Sequence, residues 1–293
     1  MTEQRVRDTA LGGIIAAILT PVHADLSIDT ARLLAHARKL IADGCTRVST
    51  FGSTGEGVSF SSDQKHAANQ ALLAGGVRPD QLLPAIMVSA VDTAARELKD
   101  IAALGCRHAL VLPPFYYRNA TLEGLVSYFE AVFERAGRPA VSFVLYNIPA
   151  MSGITITHDF VRALQAGKGA PIAGIKDSTG DLASGLAFVR AFPELSIFTG
   201  DDRVLPHLLD AGGAGMIGGL PNLYASDLAA LYRTREGDEA VRLAALAAER
   251  IAQIDATGGL LALKAGLADQ NTDPAWRRAM PPLGTEFRTG HAK

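Results

Sequence analysis

The chain holds seven lysines, and one of them stands apart. Lys176 closes the apolar run Ile172-Ala173-Gly174-Ile175, which would enclose its methylene stem and strip part of the water from its ammonium. Desolvation lowers a lysine pKa, and an unprotonated amine is what attacks a carbonyl to form an imine. The competing reading is a structural lysine paired with Asp177 or another nearby acid. Lys39, Lys65 and Lys99 fall on helical patterns, Lys168 in a loop and Lys293 at the terminus. Lys264 lies in the apolar stretch 260–267 and is read as a surface lysine, its stem along the helix and its head in water.

Two other pieces carry chemistry. Gly52-Ser53-Thr54-Gly55 offers consecutive backbone N–H groups and two hydroxyls at a strand-to-helix turn, a cradle for a carboxylate or a phosphate. It lacks the lysine and spacing of a nucleotide-binding P-loop, and a plain glycine turn is the alternative. Tyr146 places a phenol at a strand end, where it can give and take a proton or merely pack against the rim. The glycines Gly212, Gly213, Gly215, Gly218 and Gly219 would either cradle a phosphate or supply tight turns. His23, His36, His66, His108, His158, His207 and His291 are scattered without ligand spacing, so no metal is expected, and no cofactor.

These residues need a frame that brings strand ends together. Short β-rich runs over 14–19, 46–51, 82–88, 109–112, 140–146, 172–176, 195–199 and 214–218 alternate with helical patterns. The latter cover 29–42, 62–73, 93–104, 122–135, 157–166, 181–191, 202–211 and 222–234. Apolar strands each followed by a helix indicate a parallel sheet, and about eight rounds predict a closed (β/α)8 TIM barrel. Two further helices, 238–256 and 259–267, are rich in alanine and leucine and are expected to pack on the barrel. The chain 1–293 therefore reads as one unit: a barrel over 11–236 and a helical extension over 237–293. The tail from Asn271 is expected to be a loop wrapped over the surface. In a barrel of this kind the reactive rim lies at the C-terminal strand ends, where Lys176, Tyr146 and Ser53 all fall.

Composition narrows the class. Hydrophobic residues make up 48% of the 293, enough for a large core. A net charge of −2 gives no footprint for nucleic acid or an anionic membrane. Cys45 and Cys106 form no CxxC pair, which points to a reducing compartment, the cytoplasm. Residues 1–10 lack the apolar stretch of a signal peptide, and no run is long enough to span a membrane.

Taken together, Gly52-Ser53-Thr54-Gly55-Glu56, Tyr146-Asn147-Ile148-Pro149, Gly174-Ile175-Lys176-Asp177 and Gly200-Asp201-Asp202 resemble, in that order, the dihydrodipicolinate synthase / N-acetylneuraminate lyase family of Schiff-base pyruvate aldolases. The resemblance spans nearly the whole chain. It implies that Lys176 forms an imine with pyruvate and that Tyr146 shuttles protons. Ser53 and Thr54 would hold the pyruvate carboxylate, with Ser53 also in the relay. Tyr116 would reach across a dimer interface to complete the neighbour's relay, and Ile217 would face the lysine with its backbone carbonyl. It implies a homo-oligomer, dimer or tetramer, acting on a small keto acid.

The distal half departs from the pattern. Met151 stands where dihydrodipicolinate synthases carry a carboxylate-binding arginine, while Tyr146–Gly153 is closer to sialic acid lyases. Asp202 is kept, Arg203 replaces an acid and Gly219 a serine, leaving Asp202 and Arg203 as candidates for the substrate's tail; the competing reading is that Arg203 only pairs with a nearby acid on the helix that starts there. The expectation is a lyase acting on a 2-keto-3-deoxy sugar acid or a sialic-acid-like substrate. The alternatives are 4-hydroxy-tetrahydrodipicolinate synthase, condensing pyruvate with aspartate semialdehyde, and a keto-acid sensor without turnover.

Overall fold

In the computed structural model, which describes residues 11–169 and 171–284, eight short strands alternate with helices. His291 and Lys293, and the stretch 1–10, lie outside the described residues. The strands are β1 (Gly13–Ala17), β2 (Arg47–Ser49), β3 (Ala85–Ile86), β4 (His108–Val111), β5 (Ser142–Asn147), β6 (Ile172–Asp177), β7 (Ser196–Thr199) and β8 (Gly215–Gly218). The helices are α1 (Thr30–Ala42), α2 (Ser62–Ala74), α3 (Val91–Ala103), α4 (Leu122–Arg135), α5 (Pro149–Ser152), α6 (His158–Ala166), α7 (Leu182–Ala191), α8 (Leu205–Asp210) and α9 (Pro221–Arg233). Two more, α10 (Asp238–Ala256) and α11 (Leu260–Asn271), follow.

All neighbouring strands run parallel, and β1 pairs with both β2 and β8. The remaining seam, β2 to β3, is closed by a parallel bridge between Val48 and Leu82 and by bonds from Leu83 N to Val48 O and Ala85 N to Thr50 O, each 2.9 Å. The result is a (β/α)8 barrel with extra C-terminal helices. Each strand run expected from the sequence contains a strand or overlaps one. β3 keeps only two of the residues read as 82–88, because its partner across the seam offers a single bridge.

Side chains alternate along each strand, as a pleated backbone requires. Ile14, Ala16, Val48, Leu145, Ile175 and Ile197 point outward into the layer shared with the helices. Ile15, Leu110, Val144, Tyr146, Phe198 and Ile217 point inward and fill the barrel. Polar caps set the helix starts on the site's side: Asp29 accepts from Arg32 N, Ser61 and Gln64 form a capping box, and Thr157 accepts from Phe160 N. The helix read over 202–211 begins only at Leu205. Before it, the Thr199 hydroxyl donates to Asp201 O and accepts from Asp201 N, and Arg203 N donates to the Asp201 carboxylate.

The tail departs from expectation. Instead of lying over the surface as a loop, the chain after α11 turns through a 3₁₀ segment, Pro274–Arg277, and buries Trp276. Trp276 packs with Leu19, Leu263, Leu267 and Ala268, and meets the His36 ring edge-on at 5.1 Å. The aromatic side chain is too large and apolar to leave in water when a groove between α1 and α11 can take it.

Candidate active site

Lys176 is the next-to-last residue of β6, and its direction follows from the pleat. Ile175 packs outward, so Lys176 points into the barrel, where it is only 4% exposed. Its register partners are Tyr146 on β5 and Phe198 on β7, both interior residues. Lys176 Nζ lies 4.1 Å from the centroid of the Tyr146 ring. The Tyr146 phenol is in turn 3.2 Å from Ser53 Oγ, so three groups from three elements meet at one point. Burial pushes the phenol's pKa up. The Lys176 cation, with hydrogen bonds from Ser53, Lys176 and Ser178, outweighs that and holds it below the ordinary tyrosine value.

The alternative partner for Lys176 is engaged elsewhere. Asp177 follows in the strand and so faces the other way. It accepts from Asn147 Nδ2 at 2.9 Å, Thr179 N at 3.2 Å and Thr179 Oγ1 at 3.1 Å. Asn147 Oδ1 also accepts from Ile156 N at 3.0 Å. Among the described residues Lys176 makes no ion pair. The pair Asn147–Asp177 thus locks the ends of β5 and β6 from outside, directly beside the inward pair Tyr146–Lys176.

The loop after β2 is shaped by close contacts that only glycine allows. A Cβ on Gly57 would fall 1.7 Å from Phe51 O, and one on Gly55 would come within 2.9 Å of Ile18 O. Phe51 and Glu56 both adopt positive φ, 58° and 55°. Thr20 Oγ1 holds Gly55 O at 2.7 Å. Ser53 and Thr54 stay half-buried at the mouth, Ser53 bonded to Tyr146 and Thr54 beside Gly219. A Cβ at Gly219 would approach Leu263 to 2.8 Å, so the position read as a missing serine is closed by packing from α11.

Glu56 ends this loop, and its partner corrects one expectation. Lys264 is not a surface lysine with its head in water; it is fully buried and forms a 2.5 Å ion pair with Glu56, also fully buried. Its ammonium donates as well to Thr20 O at 2.9 Å and Arg278 O at 2.6 Å. Burial draws its pKa below the ordinary lysine value, with Glu56 pulling the other way. Held by three acceptors and shut from solvent, it is no rival to Lys176.

Of the other candidates, Ile217 is buried in the barrel interior with Tyr146 and Phe198, and the rest lie apart. Asp202 is buried, its Oδ1 has no hydrogen-bond partner among the described residues, and burial raises its carboxyl pKa to about 8, helped by neighbouring Asp201. Arg203 turns outward: it holds Asp201 through two nitrogens, at 2.9 and 2.8 Å, and reaches Asp255 on α10 at 3.1 Å. Its guanidinium is therefore occupied by acids of the chain itself. Tyr116 is not brought to Tyr146 at all; it is 81% exposed, with φ of 88°, and stacks edge-on against the equally exposed Tyr117.

Gly213 and Gly215 serve packing: Gly213 N donates to Leu208 O at 2.8 Å, and a Cβ at Gly215 would fall 2.0 Å from Gly13 O. One residue escaped the sequence reading. The stem of Arg118 covers Gly153, two positions beyond the exposed Met151, so this rim keeps a guanidinium although position 151 lacks one. Among the described residues no three of His, Cys, Asp and Glu gather as a metal site, and no helix is long and apolar enough to cross a membrane.

Residues 10–258 match the dihydrodipicolinate synthetase family. A DapA-like lyase of Chloroflexus aurantiacus is 32% identical over 241 residues, 81% of this chain and 80% of the relative. The 4-hydroxy-tetrahydrodipicolinate synthase of Mycobacterium leprae is 32% identical over 269 residues, 90% of this chain and 86% of the relative. Dihydrodipicolinate synthase from Agrobacterium tumefaciens superposes with a TM-score of 0.85 at 28% identity, covering 92% of both chains. A variant of Sulfolobus solfataricus 2-keto-3-deoxygluconate aldolase shares the fold at a TM-score of 0.83 and 24% identity, over 93% of this chain and 90% of the other. By sequence and by fold the chain belongs to the dihydrodipicolinate synthetase family, whose members are metal-independent lyases and aldolases working through a lysine Schiff base.

Proposed function

We propose that Lys176 attacks the keto carbon of pyruvate or of a 2-keto-3-deoxy sugar acid, and that Tyr146 and Ser53 carry the protons. The observation that carries this reading is the meeting of Lys176, Tyr146 and Ser53 inside the barrel mouth. The amine adds to the carbonyl, and Tyr146 protonates the departing oxygen as water. The resulting iminium draws electrons from the bond between the third and fourth carbons, which breaks. Loss of a proton from the hydroxyl on the fourth carbon then releases an aldehyde and leaves an enamine. The enamine takes a proton on its third carbon, and hydrolysis frees pyruvate. Thr54 and the backbone of the loop after β2 hold the carboxylate. Ile217 turns its carbonyl toward the amine. A phenol held below its ordinary pKa beside a cation suits a group that must both give and accept a proton.

Tyr116 extends the relay into a second copy of the chain. Its exposure and its left-handed backbone, costly for a large side chain, support a role that one subunit does not use. The working form is on this reading a homo-oligomer, dimer or tetramer. Asp202 lines the tail end of the pocket in its neutral form. The two buried cysteines fit a reducing compartment such as the cytoplasm.

A second reading is favoured by the relatives named 4-hydroxy-tetrahydrodipicolinate synthase: condensation of pyruvate with aspartate semialdehyde. Met151, in place of an arginine, weighs against it, although Arg118 brings a positive charge to the same rim. Two assays separate the readings. One offers 2-keto-3-deoxy sugar acids and sialic acids and follows pyruvate release; the other supplies pyruvate with aspartate semialdehyde and follows its consumption. Pyruvate release from the first panel supports the lyase. Turnover only in the second assay establishes the synthase, and imine formation without turnover in either leaves a keto-acid sensor.

A further inference from the structure

Lys264 sits where three segments converge. Its ammonium binds the Glu56 carboxylate at the end of the loop after β2, the Thr20 carbonyl after β1 and the Arg278 carbonyl beyond α11. Glu56 completes the knot from its side, its Oε2 accepting from Met280 N at 2.6 Å. Both charged groups are fully shut from solvent. The loop they hold is the one bearing Ser53 and Thr54, and it is internally short of support. Its own bonds are Glu56 N to Ser53 O at 3.1 Å and Gly57 N to Gly52 O at 3.0 Å. Glu56 keeps a left-handed backbone, which persists only where the surroundings over-determine it. The neighbouring residue Leu263 closes on Gly219, which itself touches Thr54. One turn of α11 therefore grips the loop both at its end and along its wall.

We infer that Lys264 is a positioning residue, and that the C-terminal extension is part of the catalytic unit because its buried ion pair with Glu56 sets the place of Ser53 and Thr54. This rests on the proposed roles of those two residues. A buried carboxylate stripped of its cation is strongly unfavourable, so removing Lys264 drives Glu56 out toward water and drags the Ser53–Thr54 backbone with it. The effect should fall on keto-acid binding and imine formation rather than on stability alone.

The test uses the full chain as Lys264→Met, with Leu267→Ala as the comparison, since Leu267 belongs to the apolar cluster of the same extension, which includes no residue of the loop. Two quantities are read: hydrogen exchange at the Glu56 and Gly57 amides, and the pyruvate concentration that half-saturates borohydride trapping on Lys176. Lys264→Met is expected to raise both by about tenfold or more, while Leu267→Ala lowers the melting temperature and leaves both near wild type. Where Lys264→Met does not fold, Glu56→Gln, which keeps size and loses charge, is read in the same way. A lowered melting temperature with both quantities unchanged overturns the inference. If the wild-type chain traps no pyruvate, the proposed chemistry falls, and the exchange rates alone still judge the bridge.

Discussion

The Lys176 ammonium lies 4.1 Å from the centre of the Tyr146 ring, and the two residues are direct register partners on adjacent parallel strands. Because both strands end here, the pair has interior walls on one side and the barrel mouth on the other. Two opposing effects then act on the phenol. Burial favours its neutral form, and the lysine cation favours the phenolate.

The cation wins, which makes a titration informative. Tyr146 should ionise below the ordinary tyrosine value, seen as tyrosinate absorbance after subtracting the curve of Tyr146→Phe. Lys176→Met removes the cation and leaves the burial, so the same phenol should then titrate higher than in the wild-type chain. A curve that does not move on Lys176→Met would show that the two groups are uncoupled.

Asn147 and Asp177 make a second prediction, since they hold the strand ends from outside. Asn147→Ala takes a donor from Asp177 and an acceptor from Ile156 N, both buried. Leaving such groups unpaired costs about 1–3 kcal/mol. The variant should melt lower and also lose kcat, because Tyr146 and Lys176 no longer share a fixed register. Loss of stability with full kcat would mean that the pair serves the fold and not the site.

Asp202 predicts a pH effect of definite sign. Its carboxyl is raised by burial, then by Asp201, from 3.8 to about 8 in the folded chain. Between those values the folded state holds a proton that the unfolded state has lost, so stability falls as pH rises. The contribution is full below about 4 and gone above about 8. Asp202→Asn cannot ionise, so its melting temperature relative to wild type should climb steadily across that window. A constant difference between the two proteins from pH 4 to 8 would show that Asp202 is already ionised when folded.

Most of the proximal site was legible because local rules place it. A lysine ending an apolar strand, a glycine-bounded pair of hydroxyls and a tyrosine at a strand end each imply a position on the rim, and the barrel brings those positions together. Lys264 was misread because its partner, Glu56, is remote in sequence. A signal was present, however: Lys264 lies beside Leu263, Leu267 and Ala268 on the buried face of α11, and a lysine on such a face must have a partner. Arg203 was open for a different reason. Residue type and position cannot say which of several acids a long side chain will choose, and here Asp201 and Asp255 took it. Tyr116 was named by the resemblance alone: among the described residues its phenol makes no hydrogen bond, and its ring contact is to Tyr117.

The most direct measurement is chemical. Pyruvate is added with borohydride to the purified chain, and the modified peptide is mapped by mass. The account predicts a reduced pyruvate adduct on Lys176, abolished in Lys176→Ala and unaffected by prior chelation of metals. An adduct on Lys264 or any other lysine, or none at all under conditions that support turnover, would contradict it.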